Sequence, residues 1–189
     1  MRRIFKIIIA VFAVLVMLVI AFGAIIFLDV AAYAATGSQT LTPTGTSVGK
    51  AIVIYDPGLS GAAKTVADKL ASDLQMQDYT VTLACVKSSA AADTTGYRIV
   101  VVGGPVYAGA LTSSVKDTLS SLVFSHGEEV KIGVFGSGQG ASSLDDIAQL
   151  KQSMPVRSDP SLQDAIVVKI GSSEDLKARA QDFVSQLLA

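Results

Sequence analysis

The sequence lacks most of the residue types that build disulfides, metal centres and glycosylation sites. Its 189 residues include one cysteine, one histidine, no tryptophan and no asparagine. A single cysteine cannot form an intramolecular disulfide, and with a single histidine it cannot supply a Cys/His structural zinc site. Without asparagine there is no N-glycosylation acceptor. We therefore predict no metal site.

Charge is also scarce. Charged residues make up 16% of the chain, and 15 basic residues are balanced by 16 acidic ones. Such a chain has no strong basic field for binding nucleic acid, so we predict no nucleic-acid partner. The hydrophobic fraction of 50% excludes a disordered chain.

Much of this hydrophobicity lies near the N-terminus. Residues 7–28 contain no charged or strongly polar side chain. A helix of that length would be roughly 33 Å long, close to the thickness of about 30 Å of a bilayer hydrocarbon core. Residues 1–35 are therefore predicted to be an N-terminal membrane anchor with a transmembrane helix at about 7–28.

Basic residues predict the orientation of this anchor. Arg2, Arg3 and Lys6 precede the apolar segment, and no basic residue follows it before Lys50. The positive-inside rule places the N-terminus in the cytoplasm and the rest of the protein outside, as a single-pass membrane protein. A cleaved signal peptide ending near residues 32–34 is the alternative, although its apolar region would be unusually long.

Residues 36–48 are rich in Ser, Thr, Gly and Pro and carry no charge, which is typical of a flexible linker. Residues 49–189 are then predicted to form one domain. With the anchor removed, the remaining chain from residue 36 has a net charge of −3.

Within the domain, apolar runs alternate with helical patterns, which predicts an α/β fold with a parallel sheet covered on both faces. The predicted strands are residues 51–55, 79–84, 98–102, 131–135 and 165–170. The second strand alternates polar and apolar residues, and Lys169 interrupts the fifth, so both are predicted to be edge strands. This sorting favours a doubly wound five-stranded parallel sheet in the order 2-1-3-4-5.

Three loops should meet at the carboxyl ends of the strands, where ligands bind in such sheets. They are residues 56–63, 103–110 and 136–142, and all are rich in glycine and small residues, which lets backbone N–H groups approach a ligand. The first loop opens a helix, whose N-terminal amides favour an anion such as phosphate. Tight turns without a ligand are the alternative interpretation.

The residues of these loops resemble the flavodoxin family. The segment AIVIYDPGLSGAAKTVADKLASDL is similar to the first strand, phosphate loop and first helix of flavodoxins. The segment YRIVVVGGPVYAGALTSSVKDTLSSL is similar to their third strand and flavin-flanking loop, and KIGVFGSGQG occupies the position of their fourth strand. The resemblance implies a flavodoxin-like fold, a non-covalently bound FMN and electron transfer.

The resemblance also implies binding residues. The family's phosphate loop has the pattern Ser/Thr, any, Ser/Thr, Gly, Asn or aromatic, Thr, of which only Ser60 and Gly61 match here. Tyr107 retains the family's Pro-x-Tyr character and is expected to lie against the flavin ring. The implied FMN-binding residues are Gly58, Leu59, Ser60, Gly61, Ala62, Ala63, Pro105, Val106, Tyr107, Ala108, Gly109, Gly136, Ser137, Gly138 and Gln139.

Rival chemistries fit the sequence less well. Residues 58–65 differ by one residue from the nucleotide-binding pattern G-x4-G-K-[ST], because Ala63 replaces the final glycine. Residues 58–62 approach the nucleophile pattern G-x-S-x-G, but His126, the only histidine, precedes a strand and belongs at the opposite edge of the sheet. No catalytic residue is predicted.

We therefore expect an electron carrier with a redox protein as partner, held at the membrane by its N-terminal helix. A flavin-free domain that keeps the fold as a binding or scaffold module at the membrane is the alternative, motivated by Ala62 and Ala63. A flavin-dependent reductase with its own substrate is a third possibility.

Overall fold

The computed structural model describes residues 12–21, 36–124, 129–156 and 160–189. The chain divides into two compact units, Met1–Ala34 and Ala35–Ala189. In the first unit, residues 12–21 are helical (α1) and exposed. His126, which the sequence placed before a strand, lies outside the described residues.

The predicted membrane helix at 7–28 is only partly covered, because residues 7–11 and 22–28 lie outside the described part of the chain. The ten described residues of α1 span about 15 Å. Among the described residues, no helix is long and apolar enough to cross a membrane. This finding contradicts the predicted single-pass membrane location, and with it the predicted cytoplasmic N-terminus and external domain.

The second unit contains one sheet and its covering helices. The strands are β1 (Ser38–Leu41), β2 (Gly49–Tyr55), β3 (Tyr79–Cys85), β4 (Ile99–Tyr107), β5 (Ala110–Leu111), β6 (Lys131–Gly138) and β7 (Ile166–Gly171). The helices are α2 (Ala62–Met76), α3 (Ser113–Ser121), α4 (Leu144–Ser153), the single turn α5 (Pro160–Gln163) and α6 (Leu176–Leu188).

The strand order is β1-β3-β2-β4-β6-β7, and β5 pairs with β4 outside this path. Five strands run parallel, whereas β1 pairs antiparallel with β3, and β5 pairs antiparallel with β4. Among the described residues the sheet has seven strands instead of the predicted five, and the order of the whole sheet differs from 2-1-3-4-5, because two short antiparallel strands extend it. The five parallel strands alone lie in the order β3-β2-β4-β6-β7, which is the order predicted for those five.

Strand β1 arises in the segment predicted as a linker. Ser38 is paired with Ala84, and the N–H of Cys85 donates to the Gly37 carbonyl at 2.9 Å. Strand β3 therefore has a neighbour on each side and is not an edge strand as predicted. Its polar positions have a local explanation, since the Thr82 hydroxyl accepts a hydrogen bond from the Tyr97 hydroxyl at 3.1 Å.

Both faces of the sheet are buried, which explains the uninterrupted apolar strands. Alternate residues of β2 enter different cores: Val53 belongs to the core beneath α2 and α6, and Ile54 to the core beneath α3. In α2, Val66, Leu70 and Leu74 recur at helical spacing and are buried against the sheet. Because β2, β4 and β6 pair in parallel, their carboxyl ends lie at one edge of the sheet.

Gly103 in β4 allows the ring of Phe135 to pack directly against the backbone of the strand. A Cβ atom at position 103 would collide with the ring and the carbonyl oxygen of Phe135, which is fully buried. We expect Gly103→Ala to lower the free energy of unfolding by about 1–3 kcal/mol, since a packed core resists added volume. Urea denaturation followed by circular dichroism measures this loss.

Gly37→Ala is the matched control, because a Cβ atom there meets nothing within 4 Å. Equal stability of the two variants would show that the Gly103–Phe135 contact does not limit packing.

Candidate functional site

The candidate site lies at the carboxyl edge of β2, β4 and β6. Three segments meet there: the first loop (residues 56–61), the hairpin (residues 105–111) and the third loop (residues 139–143). Because β2 and β6 both pair in parallel with β4, all three segments leave the sheet at the same edge.

Asp56 fixes the first loop internally and to α3. Its Oδ1 accepts a hydrogen bond from the Gly58 N–H at 3.0 Å. Its Oδ2 accepts from the Thr112 hydroxyl at 3.0 Å and from the Ser114 hydroxyl. This carboxylate therefore joins the end of β2 to the first turn of α3, where the helix dipole favours a negative charge.

The first loop also rests on the hairpin. Gly58 has a φ of 62°, and a Cβ atom there would lie 2.7 Å from Cγ of Pro105. Glycine at this position therefore satisfies both the left-handed backbone and the contact with the proline ring. Pro105, itself buried, is paired in register with Ser137 of β6, so the three segments form one connected surface.

The N-terminus of α2 is open. Its N-cap, Gly61, has a φ of 70°, no side chain caps the helix, and its first turn contains no acidic residue. A Cβ atom at Gly61 would meet nothing within 4 Å, and the Ala62 N–H has only a long contact, 3.4 Å, with the Ser60 hydroxyl. First-turn amides of this kind bind anions.

The side chains of this loop differ in accessibility. Leu59, Ser60 and Ala62 are exposed, whereas Ala63 is fully buried in the core beneath α2. Ala63 can therefore offer a ligand only its backbone.

The segment predicted as a loop over residues 103–110 is mostly strand. β4 continues through Tyr107, and Ala108 and Gly109, with φ of 50° and 79°, form a two-residue turn into β5. Val106 is half-buried, while Tyr107 remains 54% exposed at the end of the strand. The hairpin thus leaves about half of the tyrosine side chain exposed to solvent.

The segment predicted as a loop over residues 136–142 is also strand at its start. Gly136, Ser137 and Gly138 belong to β6, and Gln139 alone of the predicted residues there lies in the third loop, where it is exposed. Ser137 is 4% exposed, and its hydroxyl has no hydrogen-bond partner among the described residues.

Two carboxylates hold the third loop. Asp146 forms a capping box with Ser143 at the start of α4, and its Oδ2 lies 3.1 Å from Nζ of Lys169. Glu174 accepts hydrogen bonds from the Ser142 hydroxyl at 2.7 Å and from the Gly171 N–H at 2.6 Å. Lys169 is thus buried against its partner, although β7 is an edge strand.

Three exposed apolar side chains surround the site. Leu59 of the first loop is 62% exposed, Tyr107 of the hairpin 54%, and Leu144 at the start of α4 85%. Where such side chains form a contiguous patch, they are typical of binding surfaces. Among the described residues, no group of three His, Cys, Asp or Glu side chains is placed to hold a metal ion.

Asp56, Thr112, Ser114 and Glu174 shape the site but are not among the predicted site residues. Asp56 does carry a signal in the sequence, because it directly follows an apolar strand. In a parallel sheet such a residue lies at the edge where ligands bind. Thr112 and Ser114 precede a helical pattern, which is a capping signal, but their carboxylate partner is 56 to 58 residues away.

Hydrogen bonds lower the pKa values of both third-loop carboxyl groups. The pKa of Asp146 falls below 3.8 chiefly because the Ser143 backbone N–H and then Lys169 donate to its charged form. Burial alone would raise the pKa of Glu174, but hydrogen bonds from Gly171 and Ser142 and the charge of Arg179 bring it below 4.5. Each group therefore stabilises the fold above its ordinary pKa, and this stabilisation is lost as the pH falls through the lowered value.

We accordingly expect Glu174→Gln to be less stable than the wild type at pH 7, with a difference that shrinks toward about pH 3. Chemical denaturation at both pH values measures the two differences, and Glu129→Gln, at an exposed position, is the control. A pH-independent difference would show that the charge of Glu174 does not hold the third loop.

Solved structures with the same architecture are known. A short-chain flavodoxin associated with a PDU bacterial microcompartment is 20% identical, with 74% of this chain and 96% of that chain covered and a TM-score of 0.53. The Streptococcus pneumonia TIGR4 flavodoxin is 19% identical, with 74% and 97% covered and a TM-score of 0.52. An apo NADH:FMN oxidoreductase is 18% identical, with 74% and 84% covered and a TM-score of 0.51.

No protein family model and no curated protein matches the sequence. At these identities the structural similarities establish the fold alone. The chain has a flavodoxin-like fold.

Proposed function

We propose that this domain binds FMN non-covalently at the carboxyl edge of the sheet and transfers electrons. The observation that carries the proposal is the pairing, at one edge, of an uncapped α2 N-terminus with the exposed ring of Tyr107. The first feature suits a phosphate and the second suits a flat aromatic ring. The flavodoxin-like fold supports the proposal, since ligands of such sheets bind at this edge.

The backbone of the first loop fits a phosphate group. The space beside Gly61 is open, and the first turn of α2 presents amides without a carboxylate to compete for them. Ser60 is an exposed hydroxyl in the same loop. These groups would hold the phosphate by hydrogen bonds and by the positive end of the helix dipole.

The hairpin and the third loop fit the ring. Tyr107 offers an exposed aromatic face, and Gln139 offers a polar side chain across the edge. Leu59 and Leu144 would exclude water from the margins of the ring. When bound, FMN supplies the capacity to accept and release electrons, and the protein supplies binding and surroundings.

A redox protein partner would meet the same edge. Leu144 and Asp145 are exposed at the start of α4, beside Tyr107 and Leu59 on the neighbouring segments. An apolar patch with an acidic margin suits a partner whose surface carries basic residues around an apolar centre.

One observation favours a second candidate, a flavin-free binding module. Ala62 and Ala63 lack the hydrogen-bonding side chains that the flavodoxin phosphate-loop pattern has at these positions. In addition, the Gly58 N–H already donates to Asp56 and is not free for a phosphate. Each hydrogen bond missing from a phosphate would cost about 0.5–1.5 kcal/mol. In that case the same exposed apolar edge would bind a protein without a cofactor.

The ring contact can be tested by titrating the full chain with FMN while following flavin fluorescence. We expect quenching that saturates at one FMN per chain, and about tenfold weaker binding after Tyr107→Ala, because aromatic stacking contributes about 1–3 kcal/mol. Val123→Ala is the control: Val123 is 52% exposed, like Tyr107, but lies at the opposite edge. Absence of quenching by the wild type would favour the flavin-free module.

The phosphate site can be tested by comparing Gly61→Asp with Gly61→Asn, two variants that differ in charge but have nearly the same shape. Asparagine and aspartate both tolerate the left-handed backbone better than other residues, and the Cβ position is open. We expect Gly61→Asp to bind FMN about tenfold more weakly than Gly61→Asn, by roughly 1.4 kcal/mol. The two variants should bind riboflavin, which lacks the phosphate, equally well.

If Gly61→Asp weakened FMN and riboflavin to the same degree, the phosphate would not lie at the α2 N-terminus. Competition by inorganic phosphate, measured with the Asn variant, provides an independent check.

A further inference from the structure

The two outermost strands of the sheet differ in how their free sides are protected. Strand β1 lies at one end of the strand order and β7 at the other. At β7, the Arg179 guanidinium donates to the Lys169 carbonyl at 3.3 Å, and the Gly171 N–H donates to the Glu174 carboxylate at 2.6 Å. Side chains of the same chain therefore occupy backbone groups along the free side of β7, which protects it from pairing with another strand.

Strand β1 lacks this protection. Residues 36–48 contain no charged side chain, and Ser38, Gln39 and Thr40 are exposed. Among the described residues, no strand pairs with the outer side of β1, and no side chain bonds to the backbone of Ser38 or Thr40. An uncharged and exposed edge strand is open to pairing with a further strand.

The register of β1 on β3 shows which backbone groups face outward. The Cys85 N–H donates to the Gly37 carbonyl at 2.9 Å, so Gly37 bonds inward. Inward bonding alternates along an antiparallel pair, so Gln39 also bonds to β3. Ser38 and Thr40 therefore direct their N–H and C=O groups away from the sheet.

A second copy of β1 fits these outward groups in one register. When two copies pair antiparallel about a two-fold axis at Gln39, Ser38 of each copy lies opposite Thr40 of the other. Each of these residues then donates its N–H to the carbonyl of the residue opposite, and every outward group of β1 is bonded. A register centred on Ser38 or on Thr40 would instead place one of the two opposite a position outside the strand.

Side chains at this edge suit the same pairing. Ser38 and Thr40 of opposite copies become cross-strand neighbours, an arrangement in which hydroxyl groups can bond to each other. Gln39 lines a cavity of about 210 Å³ together with Lys64, whose ammonium group is already paired with Asp68. The charge of Lys64 is therefore balanced within each copy and does not oppose the approach of the second.

We propose that two copies of this chain associate through their β1 strands, which joins their sheets edge to edge. The interface is isologous, because the same residues contribute from both copies. A ladder as short as β1 makes a small interface, so the association is reversible and depends on protein concentration. The inference goes beyond the proposed function and does not depend on FMN.

Disulfide trapping of the full chain tests the register. The two copies of residue 39 form a non-hydrogen-bonded pair at the axis, with Cα atoms about 4.5 Å apart, a distance that a disulfide can bridge. The two copies of residue 38 are offset along the strands and lie about 9 Å apart, which is too far.

Cys85→Ala removes the only native thiol and is the background for both variants. On mild oxidation we expect Gln39→Cys to form covalent dimers at least about tenfold faster than Ser38→Cys. Equal trapping of the two variants, or no trapping at residue 39, would overturn the proposal.

Thr40→Pro tests the hydrogen bonds themselves. The Thr40 N–H faces away from β3, so a proline there removes an outward donor and leaves the pairing with β3 intact. We expect sedimentation velocity to show concentration-dependent dimers of the wild type and at least about tenfold weaker association of Thr40→Pro. Thr40→Val, which keeps the N–H, is the matched control and should still dimerise.

Circular dichroism establishes that each variant is folded. A folded Thr40→Pro that associates as strongly as the wild type would contradict the proposed pairing, as would a wild type that remains monomeric at every concentration. If Thr40→Pro does not fold, the comparison of the two cysteine variants decides the question alone.

Discussion

The arrangement of the candidate site depends on the parallel hydrogen-bond ladders that β4 forms with β2 and β6. This nine-residue strand occupies the centre of the sheet, and each segment of the site is held through it. Gly104 leaves room for Asp56, Pro105 supports Gly58, and Tyr107 ends the strand. A shift of β4 by one residue would exchange its two faces, separating both contacts and turning Tyr107 to the other face.

Much of the fold can be predicted from the sequence because its signals are local. Apolar runs such as residues 51–55 and 99–102 are continuous because both faces of the sheet are covered, and helices between them require parallel pairing. The β1 strand escaped prediction because the Ser- and Thr-rich segment 38–41 has the composition of a linker. What makes it a strand is its pairing with β3, whose residues are 40 to 46 positions away and which local composition does not encode.

The candidate site could be predicted only in outline. The position of Gly58 and Gly61 follows from a glycine-rich turn after a strand, and the structure places them at the sheet edge as left-handed residues. The extents of the second and third segments could not be predicted, because Gly103, Gly104, Gly136 and Gly138 suggest turns. In the structure these glycines lie within strands, where Phe135, Val115, Val106 and Lys169 approach their Cα atoms. Small residues there reflect close packing rather than chain reversal.

The turn at Ala108 and Gly109 has a consequence for recognition. Alanine at a φ of 50° is in a conformation that L-residues rarely adopt, and it is maintained by the pairing of Val106 with Leu111 and of Tyr107 with Ala110. The backbone of Tyr107 is thus already ordered before any ligand arrives. Only two side-chain torsions remain to be restricted, an entropic cost of about 0.5–1.5 kcal/mol. The backbone that carries this aromatic ring is therefore preorganised, and the proposed FMN would meet it without rearranging the hairpin.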